Sequence, residues 1–335
     1  MTKAPECWEA SWKNNERAAK LADESGLEFL LPVARWHGYG GEIDAEGENF
    51  ETLTWATGML SVTEGIVVFG TVHVALVSPV FAAKQMVSAD LAGKGRFGLN
   101  MVSGWNVGEH AMFGIGIRDH DERYAYTEEW LDIVEKLWVH DEPFNYRGRF
   151  FDLKGLESLP KPYGDSRPML VSAGNSHVGR DFALRRADCV FMGIREIGSL
   201  EPEISKMKKI EPAPRLYFGC GNLISRPTQK EAHEYYHYLI NEMGDWAAVD
   251  HALGIRKKGG ASSSKLPTHT AERMLAAAGT YPIVGGYDEV VDEFRRMSEA
   301  GLDGIAIGLV HYIDDMPALR DEILPRMKHL GLRSD

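Results

Sequence analysis

The sequence is poor in cysteine, and its cysteines are not spaced for crosslinking or metal binding. Among 335 residues there are three cysteines, at positions 7, 189 and 220. Their odd number does not suit a disulfide framework, and the absence of a CxxC spacing does not suit a zinc site. Because proteins without disulfides are typical of reducing compartments, we expect a cytoplasmic protein.

Several motifs that identify common enzyme classes are also missing. The chain has no GxGxxG at the start of a βαβ unit, no Walker loop and no GxSxG. These absences remove the usual support for a dinucleotide-binding protein, a nucleoside triphosphatase or a serine hydrolase. His110, His120 and His140 lie near acidic residues, but their spacing does not match that of metal ligands, so we expect no metal.

Long apolar runs and an excess of positive charge are absent too. The longest apolar stretch, 65–81, is interrupted by polar residues and by Pro79, and no basic region precedes an apolar one at the N-terminus. The sequence therefore predicts neither a membrane-spanning helix nor a signal peptide. Lys and Arg number 37 against 49 Asp and Glu, a net charge of −12. That charge repels nucleic acids and anionic membranes, so we expect neither as a partner.

The sequence does contain a regular alternation of short apolar runs with longer segments of helical period. In 121–139, apolar residues recur at spacings of three and four, which predicts one face of a helix. Further helices are predicted near 8–25, 50–61 and 79–92. The alternation of strands with helices indicates an α/β fold with a parallel sheet. The predicted strands are 28–34, 66–74, 96–102, 168–173, 188–192, 215–224 and 304–309.

The strand count bears on whether the sheet closes into a barrel. Seven strands are predicted from the sequence, one fewer than a closed (β/α)8 barrel requires. Because the chain opens with a helix that has no strand ahead of it, the first strand is predicted to be the missing one. A single domain over 1–335 is expected. The polar segment 244–270 is predicted to be either a mobile lid inserted into that domain or a plain surface loop.

Polar residues near the ends of two predicted strands are candidates for catalysis, because barrel enzymes place their active sites at the carboxyl ends of the strands. Thr71 and His73 occupy alternate positions of one strand and so share a face. A buried Thr and His with a purely structural role is the alternative. The Asn100 amide can both donate and accept hydrogen bonds, although capping a turn would also explain this residue.

Two further positions have the chemistry of an anion site. Arg123 can donate a planar fork to a phosphate or carboxylate, with Tyr124 beside it. The alternative is a helix capped by Asp121, with Arg123 in solvent. Asn175 and Ser176 follow a predicted strand at the mouth of a helix, where free N–H groups favour an anion. Any junction between a strand and a helix has some of this character.

Taken together and in order, five motifs resemble the luciferase-like flavin monooxygenases, in particular the branch that contains pyrimidine, dimethylsulfone and alkanesulfonate monooxygenases. The resemblance covers nearly the whole chain. It implies a (β/α)8 TIM barrel of the luciferase-like type. The motifs are RWHGYGG at 35–41, GRFGLNMVSGW at 95–105, GEH at 108–110, DERY at 121–124 and AGNSHVG at 173–179.

The resemblance also implies a chemistry. Reduced FMN, delivered by a separate NAD(P)H-dependent flavin reductase, would react with O2 to give a flavin peroxide at N5 or C4a. That peroxide would oxidise a small heterocycle, sulfone or sulfonate, and a lid would exclude water. Trp36, Tyr39 and Trp105 would line the barrel mouth, and such aromatic residues suit each of these substrates. A homodimer or homotetramer is implied by the same resemblance.

The resemblance assigns roles to individual positions. Thr71 and Asn100 match residues that line the pocket where O2 meets the flavin. His73 is the candidate for an acid-base or oxygen-positioning role. The residues that match FMN contacts in the family are Ala34, Arg35, Asn100, Glu109, Arg123, Tyr124 and Ser176.

Two other functions would be compatible with the same barrel. One is a dehydrogenase that uses a deazaflavin or nicotinamide hydride without O2, and Thr71 and Asn100 weigh against it. The other is a non-catalytic flavin-binding subunit, and the presence of Arg123, Tyr124 and Ser176 weighs against that.

Overall fold

The computed structural model describes residues 1–174, 176–210, 215–258 and 268–334. Its contacts group the chain into two compact units, which are described separately; the prediction of a single domain over 1–335 stays a prediction. The first unit consists of Gly26–Trp36 and Asn49–Val190. The second unit consists of Met1–Ser25, His37–Glu48 and Phe191–Asp335.

The first unit is built on parallel strands that follow one another in chain order across the sheet. An antiparallel hairpin of β4, Phe144–Arg147, and β5, Asp152–Leu156, lies outside that sheet. The strands of the sheet are β1, Phe29–Leu30; β2, Val67–His73; β3, Phe97–Val102; β6, Met169–Ser172; and β7, Cys189–Gly193, of which Cys189 and Val190 belong to this unit.

Helices of the first unit alternate with these strands. The helix that contains Trp130, Ile133, Val134 and Leu137 buries all four side chains, so the predicted apolar face is confirmed. Pro79 begins another of these helices at the position where a missing N–H costs nothing. The helices are α2, Thr52–Val62; α3, Pro79–Ala92; α4, Val107–Met112; α5, His120–Val139; and α6, His177–Arg186.

In the second unit, the strand β8, Leu216–Arg226, pairs in parallel with both β9, Tyr281–Gly286, and β10, Gly304–Leu309. None of the helices in the described part of the chain combines the length and apolar character needed to cross a membrane. The helices of this unit are α1, Trp12–Glu24; α7, Leu200–Ile210; α8, Gln229–Asn241; α9, Trp246–Lys258; α10, Thr268–Ala277; α11, Tyr287–Glu299; α12, Met316–Ala318; a π-helix, Leu319–Ile323; and α13, Leu324–His329.

In the described residues the main sheet has eight strands, of which seven correspond to the seven predicted from the sequence and the eighth, β9, pairs with β8 off the path of the others. The overlooked strand is β9, which lies between α10 and α11 and not ahead of α1. Its sequence contains Pro282 and ends in Gly285 and Gly286, a composition typical of loops. Because β9 lies off the path formed by the seven predicted strands, the missing first strand of the barrel stays a prediction.

Two other segments differ from their predictions. The first strand extends only over β1 and not over 28–34, and Pro32 within that range has no N–H to donate to a ladder. The predicted insertion at 244–270 begins with the helix α9, which buries Ala248, Val249 and Ala252. Residues 259–267, which include most of the polar part of this insertion, lie outside the described residues. The lid therefore stays a prediction.

Trp130 connects α5 to the segment that follows β2 through a hydrogen bond. Its side chain is fully buried, and its indole Nε1 donates to the carbonyl oxygen of Val77 at 2.8 Å. Val77 is half-buried, and a carbonyl shielded from water that loses its donor costs about 1–3 kcal/mol; the smaller ring leaves a void in addition.

Replacing Trp130 with Phe is therefore expected to lower the free energy of unfolding by about 2–4 kcal/mol. Denaturant titration followed by circular dichroism measures this change. Trp246→Phe is the matched control, because Trp246 is 46% exposed and its replacement should cost under about 0.5 kcal/mol. Equal losses in the two variants would contradict the role given to the Val77 contact.

Candidate active site

The three residues predicted to be catalytic lie on the neighbouring strands β2 and β3. Thr71 is paired with Asn100 in the parallel register, and His73 lies two residues further along β2, on the face that Thr71 occupies. Each of the three side chains is 6% exposed. The structure thus brings the predicted residues together at one end of this strand pair.

The hydroxyl of Thr71 fixes the orientation of the Asn100 side chain. Thr71 Oγ1 lies 2.7 Å from the carbonyl oxygen of Pro32, which can only accept, so the Thr71 proton points there. The same Oγ1 lies 3.1 Å from the Asn100 amide and must be the acceptor in that contact. Nδ2 of Asn100 therefore faces Thr71, and Oδ1 faces away from it.

Oδ1 of Asn100 is a buried acceptor with no hydrogen-bond partner among the residues that the structure describes. A buried acceptor without a donor costs about 1–3 kcal/mol, which an N–H or O–H of a ligand would recover. The site consequently presents a fixed hydrogen-bond acceptor to whatever binds there.

His73 contacts a buried carboxylate that comes from α4. Its Nδ1 lies 3.3 Å from Oε2 of Glu109, whose side chain is almost fully buried. The other oxygen, Oε1, accepts a hydrogen bond of 3.2 Å from the backbone N–H of Trp36. Both Glu109 oxygens thus face groups of the protein itself, a histidine and a backbone amide, and the expected contact of Glu109 with FMN stays a prediction.

The imidazole of His73 is held in its neutral form. Burial is the main reason that its pKa lies below the ordinary value, and the positive charge of Arg35 and the neighbouring His110 lower it further. The contact between His73 and Glu109 is for this reason one between a neutral ring and a carboxylate, and not an ion pair.

The segment that follows β1 carries aromatic and cationic side chains. Nη1 of Arg35 donates to the Ala34 carbonyl at 2.9 Å, and its guanidinium carbon lies 5.1 Å from the centre of the Trp105 ring. The Trp36 ring meets Phe113 edge to face, with centroids 4.7 Å apart. Since Trp36 and Phe113 are each 39% exposed, an aromatic surface faces solvent here.

A backbone cradle forms where β6 leads into α6. A Cβ atom on Gly174 would lie 2.6 Å from the Gly179 carbonyl carbon, and one on Gly179 would collide with the Tyr124 hydroxyl. Ser176 is the N-cap of α6, and its Oγ accepts from the Gly179 N–H at 3.0 Å. Its hydroxyl proton can still be donated to an anion at the helix N-terminus. Asn175 lies outside the described residues.

Arg123 is half-buried, so the alternative that it lies in solvent was wrong. Its Nη1 donates to the carbonyl oxygen of Gly104 at 2.5 Å, while its Nε is buried without a partner in the described ranges. Gly104 has φ +93°, and a Cβ there would meet the His110 ring at 2.6 Å. The N-cap of α5 is Asp119, not Asp121, and no side chain caps that helix.

Two residues of the site, Pro32 and Asn106, and the role of the Trp36 backbone were missed at the sequence level. Pro32 and the Trp36 N–H act through backbone atoms, which leave no side-chain signal. Asn106 is the N-cap of α4 and accepts from the Gly108 and Glu109 amides. The Asn-x-x-Glu pattern resembles a capping box and could have predicted that helix start.

These residues fit the cofactor that the resemblance implies. The cradle at α6 and the Ser176 hydroxyl suit a phosphate, and the fixed Asn100 acceptor suits an N–H at the edge of a heterocycle. In the described part of the chain, no three His, Cys, Asp or Glu side chains are grouped so that they could hold a metal ion.

Comparison with known proteins also points to a flavin-dependent monooxygenase family. The dimethylsulfone monooxygenase of Pseudomonas fluorescens, named as FMNH2-dependent, is 26% identical over 330 residues, covering 96% of this chain and 88% of that one. The pyrimidine monooxygenase of Variovorax paradoxus is 25% identical over 340 residues, covering 96% and 89%.

Solved structures give the fold. The crystal structure of DmoA from Hyphomicrobium sulfonivorans matches 99% of this chain and 85% of that chain, with a TM-score of 0.86 and 19% identity. The predicted fold class, an α/β luciferase-like barrel, is confirmed by such neighbours. The family model described as luciferase-like monooxygenase matches residues 1–304, and the chain belongs to that family.

Proposed function

We propose that the chain is the oxygenase of a two-component system that uses reduced FMN and O2 to oxidise a small organic molecule. The observation that carries this proposal is the hydrogen-bond chain from Asn100 through Thr71 to Pro32, which leaves Oδ1 as a buried acceptor. This acceptor suits the reduced cofactor, because reduction adds an N–H to the isoalloxazine ring.

The cofactor would be held at both of its ends. Ser176, Tyr124 and the α6 N-terminus would bind the phosphate, and Arg123 adds positive charge. Asn100 would meet the ring. When bound, reduced FMN supplies the electrons with which O2 is activated. The protein orients the reactants and excludes water, a role in which the segment 244–270 would act as the lid.

The substrate class is proposed from relatives and from the aromatic surface. Relatives are named for dimethylsulfone and pyrimidine, and Trp36, Phe113 and Trp105 offer rings against which a small heterocycle or sulfone can pack. A separate NAD(P)H-dependent flavin reductase would be the partner. A homodimer or homotetramer is the proposed assembly.

Isotope labelling tests the proposal. The protein is loaded with photoreduced FMN without oxygen, mixed with ¹⁸O2 and either dimethylsulfone or uracil, and analysed by mass spectrometry. One ¹⁸O atom in the product is expected. Failure to bind reduced FMN would remove the enzyme class, whereas binding with label in neither product would remove these two substrates.

Ser176→Ala is expected to weaken the binding of reduced FMN by about tenfold, because it deletes a phosphate donor and the N-cap of α6. The affinity for reduced riboflavin, which has no phosphate, should fall much less. Anaerobic fluorescence titration with the two flavins measures both affinities.

Thr228→Ala is the matched control, since Thr228 caps α8 in the same manner. It should lower stability and leave both flavin affinities unchanged. Equal losses for FMN and riboflavin in Ser176→Ala would contradict the assignment of Ser176 to the phosphate.

Thr71→Val is expected to slow oxygen transfer by about tenfold or more, while the affinity for reduced FMN stays within about twofold. The valine keeps the shape of threonine but cannot donate to Pro32 or accept from Asn100, so the Asn100 amide loses its fixed orientation. Single-turnover product formation at saturating cofactor measures the rate.

Thr71→Ser serves as the control because it retains the hydroxyl. It should keep most of the rate. If the serine and valine variants slow the reaction equally, the hydroxyl does not act through Asn100.

A further inference from the structure

The buried carboxylate of Glu109 joins two separate segments of the first unit. Oε1 accepts from the Trp36 N–H at 3.2 Å, and Oε2 lies 3.3 Å from Nδ1 of His73. Glu109 is 1% exposed and His73 6%. Asn106, at the N-cap of α4, holds the start of that helix by accepting from the Glu109 amide. One oxygen of the carboxylate is thus held by a hydrogen bond, and the other lies against the imidazole of His73.

The position of the proton on His73 follows from this arrangement. A carboxylate oxygen can only accept, and a ring nitrogen with a lone pair would be repelled by it at this distance in a buried site. Nδ1 of His73 therefore carries a proton. Because burial and Arg35 keep the ring neutral, Nε2 has none and is an acceptor. No residue that the structure describes forms a hydrogen bond with Nε2.

We propose that Glu109 is the positioning residue that holds His73 as the neutral tautomer protonated on Nδ1, so that Nε2 serves as a hydrogen-bond acceptor in the active site. Its action through His73 replaces the cofactor contact expected from the resemblance. The role of Nε2 in turnover rests on the proposed function, whereas the tautomer does not. Nε2 would accept from an N–H or O–H of the bound reactants, next to the acceptor that Asn100 supplies on the paired strand.

Glu109→Gln tests the proposal because glutamine has the same shape and only one acceptor oxygen. The Trp36 N–H is a donor in every state, so the glutamine oxygen must turn toward it. The glutamine NH2 then faces His73 and needs an acceptor. His73 can supply one only by moving its proton from Nδ1 to Nε2.

The tautomer is measured by ¹⁵N NMR of protein labelled at histidine, without cofactor. The His73 signals are assigned by their loss in His73→Asn. In the native chain Nδ1 is expected to be protonated and Nε2 unprotonated, and in Glu109→Gln the reverse. A doubly protonated ring or a proton on Nε2 in the native chain would overturn the proposal, whether or not the variant folds.

Glu129→Gln is the matched control. The Glu129 carboxylate also accepts from two backbone amides, those of Arg149 and Phe150, but it does so against the β4–β5 hairpin. The His73 signals should not change in this variant. A change of the same size as in Glu109→Gln would show that the effect is not specific to the contact with His73.

Kinetics separates a positioning residue from a cofactor contact. Glu109→Gln is expected to lower kcat about a hundredfold, the scale of a misplaced acid-base group, and to leave the affinity for reduced FMN within about twofold. A loss of FMN affinity in proportion to kcat would assign Glu109 to the cofactor instead. If the native chain shows the expected tautomer but does not bind reduced FMN, the proposed function fails and the positioning role of Glu109 stands.

Discussion

The register between β2 and β3 is the constraint on which the candidate site depends. Because side chains alternate along a strand, a slip of one residue would move Thr71 to the other face of the sheet and away from Asn100. Glycines on both strands help to exclude that slip. A Cβ on Gly70 would lie 2.5 Å from the Leu53 side chain, and one on Gly98 would collide with the Phe69 ring. The Thr52 hydroxyl adds a third restraint by donating to the Thr71 carbonyl at 2.5 Å.

With the register set, groups that can play only one hydrogen-bonding role decide the polarity of the site. The Pro32 carbonyl can only accept, which makes Thr71 a donor toward it and an acceptor for Asn100. The Trp36 N–H can only donate, which commits one oxygen of Glu109. The other oxygen of Glu109 then faces His73. Backbone atoms thus orient both side-chain pairs, and the atoms that remain for a ligand, Oδ1 of Asn100 and Nε2 of His73, are both acceptors.

The sequence predicts the alternation of strands and helices well, because buried parallel strands are short apolar runs and the helices have amphipathic or capped boundaries. It misses β9, because Pro282 and two glycines give this segment the composition of a loop. The strand is recognisable only from its pairing with β8. The sequence also identifies Thr71, His73 and Asn100 as candidate catalytic residues, because polar residues are rare in such strands. It does not predict the contact of Glu109 with His73, since the two are far apart in the chain and no local pattern links them.

The neutral state of His73 fits the charges and hydrogen-bonding groups that surround it. A charged imidazole would add a second positive group beside Arg35 in a buried place, and burial already disfavours the charged form. A neutral ring next to Glu109 avoids this cost and needs only one proton, on the side of the carboxylate. The site then presents the oxygen of Asn100 and a nitrogen of His73, both acceptors, on paired strands. Two acceptors without donors of their own favour reactants that bring N–H or O–H groups, which matches a reduced flavin better than an oxidised one.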